Sequence, residues 1–331
     1  MKRFIIKTAF FCIPLALPVV LFVIIDPFMI FFNNKGKIKL TKDYNISYNR
    51  DFQSTELLLN NLEKMKYNSF IMGNSRSFFY DIESWENYTN GVGFHFNASS
   101  ESLFGIERKL NFLISKDIKI KNALIVLDYK TLSKTNNSSG HLYIKHPLVS
   151  GESSFYFYKE MFKGFFPRPI VAYTDLFLTN ERKPYMDKFG IRENVWKIDL
   201  ISNQLSYFQY DSIIKNDIQR YYKDRESIFY PRDSIQIYSN AIIGSKQKKL
   251  LLNIMSIFSS QKTNYRIIIN PLYNQEKINI VDLNYLNDLF GEDYVFDFSG
   301  INKFTNDCQN YYEASHYRPH VAREILEIIY E

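Results

Sequence analysis

A serine, a histidine and a carboxylate stand in this chain where they could form a relay for acyl chemistry. Ser75 closes the tripeptide Gly73-Asn74-Ser75, directly after the apolar run 67–72. His316 closes Glu313-Ala314-Ser315-His316, just ahead of the C-terminal segment 318–330. A nucleophilic serine needs a tight turn that exposes its hydroxyl, a base to take its proton, and donors for the developing oxyanion. Gly73 permits such a turn and a close approach of backbone. His316 can accept the serine proton on one ring nitrogen while Glu313 holds the other. Asp297 and Asp307 are alternative acids for that third place. The order serine, acid, histidine is admissible, because such relays are defined by geometry and role rather than by chain order. Each island also has a plain structural reading. Gly-Asn-Ser favours turns of any kind, and a histidine three residues after a glutamate is a common surface pair.

These residues need elements to position them. Short apolar runs at 67–72, 92–96, 123–127, 265–269 and 294–298 read as buried strands. Helical spacing runs through 54–66, with Ser54 as its cap, and through 100–115, 246–258, 278–290 and 319–329. Strands alternating with helices predict an α/β domain: a parallel sheet with helices on both faces. Sites in such sheets lie at the carboxyl ends of the strands. Ser75, Asn97, Asp128 and Asn270 each follow a predicted strand, so Asp128 and Asn270 are candidate substrate contacts. Residues 140–245 break the rhythm, carry five prolines and many aromatic residues, and read as an irregular insertion over the core.

The 331 residues are 46% hydrophobic, enough for a sizeable core, and include 25 Tyr and 29 Phe. Net charge is +6, but Lys2, Arg3 and Lys7 precede the first apolar run, and without them 38 basic residues face 35 acidic ones. That balance is no nucleic-acid footprint. Residues 8–25 are uncharged and mostly apolar. As a helix they would extend ~27 Å, close to the thickness of a bilayer core. Basic residues on its N-terminal side predict a single-pass anchor in the cytoplasmic (inner) membrane, with the main domain outside. A cleaved signal peptide is the rival reading, though no small-x-small cleavage site follows. The chain thus divides into a tip and anchor (1–32), a stalk (33–53) and the α/β domain (54–331), interrupted by the insertion. Of the two cysteines, Cys12 lies within the apolar run and Cys308 has no partner, so there is no disulfide framework. No metal-ligand spacing is present, since His316 and His320 lack the accompanying glutamate of a zinc helix, and no cofactor is implied.

Taken together, the islands resemble the SGNH or GDSL hydrolase superfamily. Gly73-Asn74-Ser75-Arg76-Ser77 resembles its first block, Gly-Asp-Ser-Leu, with Asn for Asp. Asn97-Ala98-Ser99 resembles its second, Asn-x-Gly, with Ser99 for the glycine. Glu313-Ala314-Ser315-His316 resembles its last, Asp-x-x-His, with Glu for Asp. The third block, Gly-x-Asn-Asp, is missing, and Asp128-Tyr129 stands in its place. The resemblance covers residues 54–139 and 246–331 and implies a flavodoxin-like sheet. It also implies an oxyanion hole drawn from Ser75, Ser99 and Asn97, and a substrate contact at Arg76. A narrower resemblance is to membrane-anchored members, the D-alanyl transfer protein and the alginate O-acetylation proteins, that accompany membrane-bound O-acyltransferases. It implies acyl transfer or ester hydrolysis on a cell-envelope glycan, with such an acyltransferase as partner. A catalytically weak or inactive adaptor of the same fold is the alternative that the missing block favours.

Overall fold

The structure is a computed structural model that describes residues 1–32, 44–232 and 234–331, with residues 2 and 5–15 as backbone only. The apolar runs become five parallel strands: β1 (Ser69–Gly73), β2 (Gly93–His95), β3 (Asn122–Leu127), β4 (Asn264–Ile269) and β5 (Val295–Asp297). Their order across the sheet is β2-β1-β3-β4-β5, that of a doubly wound α/β sheet whose switch point lies between β1 and β3.

Side chains along each strand alternate between two cores. Phe70, Met72, Ala123, Ile125, Ile267 and Ile269 point to one face, together with Leu58 of α2 (Arg50–Met65), Leu110 of α4 (Leu103–Ser115), Leu251 of α7 (Ser245–Gln261) and Leu286 of α8 (Ile280–Phe290). Ile71, Leu124, Val126 and Ile268 point to the other, against Trp85 of α3 (Ile82–Thr89) and Ile325 of α9 (Pro319–Tyr330). With both faces covered, continuous apolar runs are what such strands require.

Two expectations need correction at the N-terminal side. Helix α2 starts at Arg50, capped by Asn49, whose side chain accepts the Phe52 amide at 2.9 Å; Ser54 lies inside it with its hydroxyl on the Asp51 carbonyl. Residues 44–53 are not a stalk. Tyr44–Ile46 pairs antiparallel with Ile191–Glu193, and Tyr48, Asn49, Arg50 and Asp51 are buried. The remaining stalk residues, 33–43, lie outside the described residues.

The insertion does contain regular elements. Helices α5 (Ser154–Phe165) and α6 (Ile170–Thr179) share a third core with the end of α1 (Lys2–Ile25), built around Phe22, Phe28, Phe157, Met161, Phe165 and Tyr173. Helix α1 stops at Asp26, which takes a left-handed conformation and whose carboxylate accepts the amides of Ile30, Phe31 and Phe32. Among the described residues, no helix is long and apolar enough to cross a membrane.

Candidate active site

Gly73 ends β1 where β3 runs closest. Its φ is +154°, and a Cβ there would sit 2.6 Å from the Val126 carbonyl oxygen, so no larger residue fits without moving the strands. The chain then turns through Asn74 into a short 3₁₀ helix, Ser75–Phe79. Ser75 occupies its first position, just past the carboxyl end of β1.

His316 and Glu313 sit on a small antiparallel hairpin, Tyr311–Glu313 with His316–Tyr317, in which they are direct cross-strand partners. The three-residue spacing seen in the sequence is therefore a hairpin, which sets the carboxylate beside the imidazole. The hairpin is pinned by the Tyr311 hydroxyl on the Pro271 carbonyl and the Tyr317 hydroxyl on Asn270 Oδ1.

Ser75 Oγ lies 2.7 Å from His316 Nε2, and His316 Nδ1 is hydrogen-bonded to Glu313 Oε1. With Nδ1–H donated to Glu313, Nε2 is left to accept the serine proton. The second Glu313 oxygen accepts the Ser315 amide at 2.7 Å. Burial alone would raise the Glu313 pKa, but the His316 hydrogen bond and charge, the Ser315 amide and the nearby Arg76 outweigh it and hold the carboxyl below its usual range. The rings of Phe79 and Tyr207 pack on the imidazole, at 5.7 and 6.3 Å between centroids. Neither alternative acid reaches it. Asp297 pairs with Lys277 and Ser299, and Asp307 accepts the Gln309 amide.

Asn74, Arg76 and Asp128 form one network beneath the serine. Asn74 Nδ2 donates to Asp128 Oδ2 at 2.6 Å and to Thr131 Oγ1 at 3.0 Å, while Asn74 Oδ1 accepts the Arg76 amide. Arg76 forms an ion pair with Asp128 at 2.6 Å and donates through Nε to the Ser315 carbonyl. An aspartate at position 74 would set two carboxylates against each other, so the amide here and the acid at 128 require one another. Arg76 and Asp128, expected to touch substrate, tie the serine turn to the histidine hairpin. Only Arg76 of the two lines the cleft.

Two further expectations are overturned. Asn97 is fully buried and donates to His95 Nδ1 at 3.0 Å, so its side chain contributes nothing to an oxyanion hole. Asn270 is fully buried as well and holds Tyr317. Ser99 does line the cleft with Ser75. Among the described residues, neither the Ser75 nor the Ser99 backbone N–H donates to another group of the chain. Ser100, next in line, is left-handed (φ 55°) and is gripped by Lys134 Nζ on its hydroxyl at 2.6 Å.

The cleft holds about 550 Å³. Its floor comes from the turns that follow the strands, with the His316 hairpin, and its far wall from residues that sequence reasoning missed: Tyr143, Arg192, Trp196 and Tyr207 of the insertion, with Tyr48 and Arg50. Below it lies a sealed ion cluster. Lys109 meets Asp51 at 2.9 Å and Glu101 at 2.6 Å, and Lys145 meets Asp51 at 3.2 Å and also Glu101, all four side chains having almost no exposure. Burial raises the Asp51 pKa, but the two ammonium groups outweigh it and hold that carboxyl far below its usual range. No protein-family model matches the chain, and no curated protein sequence matches it.

Proposed function

We propose that this chain is a serine-dependent acyl hydrolase or acyltransferase of the SGNH type, acting on acyl esters of a cell-envelope glycan. The observation that carries this reading is the continuous relay from Ser75 through His316 to Glu313 at the carboxyl end of the sheet. Ser75 Oγ attacks the acyl carbonyl as His316 Nε2 takes its proton. Glu313 holds the ring and stabilises the imidazolium. The Ser75 and Ser99 amides receive the oxyanion. His316 then protonates the departing alkoxide, leaving an acyl-serine. Water, or a glycan hydroxyl, gives its proton to His316 and attacks that ester, and Ser75 recovers its proton. With Asn97 turned away and no third-block donor, the oxyanion hole rests on amides alone. One lost donor costs ~3 kcal/mol, or ~100-fold in rate.

In this reading, residues 8–25 anchor the chain in the cytoplasmic membrane, and the cleft works on its outer side. A membrane-bound O-acyltransferase is the partner that would deliver the acyl group. The reading is tested by treating the full chain with a fluorophosphonate and locating the adduct by mass spectrometry. A Ser75 adduct and hydrolysis of p-nitrophenyl acetate support it. The same spare oxyanion hole favours a second reading, a non-catalytic adaptor. No adduct and no hydrolysis, with glycan acylation in cells intact in Ser75→Ala but lost on deletion, would establish that one instead.

A further inference from the structure

The outer surface of the insertion beside α1 is unusually apolar. Helix α5 carries Phe155, Tyr158 and Phe162 at helical spacing, with Phe166 as its C-cap and Phe155 78% exposed. Helix α6 turns Ala172, Tyr173 and Leu176 inward and leaves Val171 and Leu178 outward, 65% and 75% exposed. These faces are continuous with α1. Phe22 sits 5.5 Å from Phe162, and Phe31, just past the Asp26 stop, stacks on Tyr158 at 5.4 Å. The outward residues of the last turns of α1, Leu17, Val20 and Ile24, are exposed apolar groups in their own right. The carboxylate on α6, Asp175, is taken up by Lys183 and Tyr185, whereas Lys159 and Arg168 are exposed and make no ion pair among the described residues.

We propose that α5 and α6 form a collar around the base of α1 that rests in the outer interface of the membrane lipids. This rests on the reading of residues 8–25 as an anchor. Three features point to lipid as the occupant. The patch is continuous with the end of α1, where that helix meets the domain. Its tyrosines are amphipathic rings of the kind that settle at headgroup level. Its free cations suit lipid phosphates, as they do in interfacial helices. Because Phe22, Phe28 and Phe165 lock α1 to the collar, anchor and collar would enter the bilayer as one body.

The test uses the full chain in phosphatidylethanolamine/phosphatidylglycerol vesicles. A tryptophan replaces Phe155, Leu178 or, as control, the exposed Tyr238 far along the chain. Quenching by lipids brominated near the headgroup is measured as the difference from wild type. Phe155→Trp and Leu178→Trp should be quenched at least twofold more than Tyr238→Trp. Equal quenching in all three overturns the collar, including the case in which a protein partner covers that face in native membranes. Alkaline carbonate extraction tests the anchor separately. A chain that resists extraction while both probes stay unquenched keeps the anchor and loses the collar. A chain that is extracted yet quenched keeps the collar and loses the anchor. Phe155→Glu/Leu178→Glu should keep p-nitrophenyl acetate hydrolysis in detergent while lowering vesicle quenching at a Phe177→Trp reporter. Unchanged quenching there also overturns the collar.

Discussion

The two sides of the cleft are built in different ways. The floor is made of residues just past strand ends and of the His316 hairpin that meets them, and nearly every polar side chain there is engaged: Asn74 with Asp128 and Thr131, Arg76 with Asp128 and Ser315, His316 with Ser75 and Glu313. The wall comes from the insertion, where Tyr143 and Arg192 stand exposed. A sheet can hold reacting groups within fractions of an ångström, because each strand end is fixed by neighbours on both sides. Loops on such a frame can vary without disturbing it. On the proposed function, the floor is suited to the chemistry and the wall to choosing what is acted upon.

The sharpest way to break this division is Ser75→Ala. It should lower ester hydrolysis by at least ~10³-fold and abolish fluorophosphonate labelling. The melting temperature should stay within a degree or two, which calorimetry can check. A large loss of stability would mean that Ser75 serves the fold.

Next in size is Lys109→Met, which attacks the seam between floor and wall. Removing one ammonium leaves Asp51 and Glu101 buried with only Lys145, and should cost ~3–5 kcal/mol by urea unfolding at neutral pH. The sign with pH follows. The Asp51 pKa is depressed in the wild type, so its stabilisation is present above the usual carboxyl range and is lost as pH falls through the folded value. In the variant an unpaired buried carboxylate gains stability on protonation. The gap between the two proteins should therefore narrow in acid, and a gap that widens would contradict the cluster's assigned role.

Arg76→Gln sharpens the floor. It frees Asp128 and releases the Ser315 carbonyl, so His316 loses its register with Ser75. We expect kcat for p-nitrophenyl acetate to fall ~10- to 100-fold with KM little changed, as for a misplaced catalytic group. It should also raise the Glu313 pKa, as an NMR titration of that carboxyl would show, because Arg76 helps hold the Glu313 carboxyl low. The smallest effect belongs to the wall. Tyr143→Ala should raise KM for an acylated oligosaccharide ~3- to 10-fold, the worth of one aromatic contact, while leaving small-ester hydrolysis unchanged. An equal effect on both substrates would erase the distinction between floor and wall.

The sheet was legible because buried parallel strands are written as unbroken apolar runs, as at Ala123 to Leu127. Helix α3 was not, since Ile82–Thr89 offers few apolar positions to reveal a period. The insertion stayed opaque because its pairings are short and distant, three residues at Tyr44 meeting three at Ile191. At the site, the Glu313–His316 spacing could be read because both residues lie on one hairpin. Asn97 misled because strand alternation continues past β2. Phe94 and Phe96 face one core, so His95 and Asn97 face away together and bond each other. The exchange of an amide at 74 for an acid at 128 was beyond reach, since only the fold makes those residues neighbours.

The sealed ion cluster bears on how the chain comes to be made. Its members arrive one after another, Asp51, then Glu101, then Lys109, and last Lys145. A growing chain that stops short of Lys145 holds two carboxylates and one ammonium, and closing the core over them would trap an uncompensated negative charge. The first half of the sheet therefore has reason to stay loosely assembled until the start of the insertion has emerged. On this view Lys145 works as a latch in time, letting the core beneath the cleft close only once the insertion has begun to emerge.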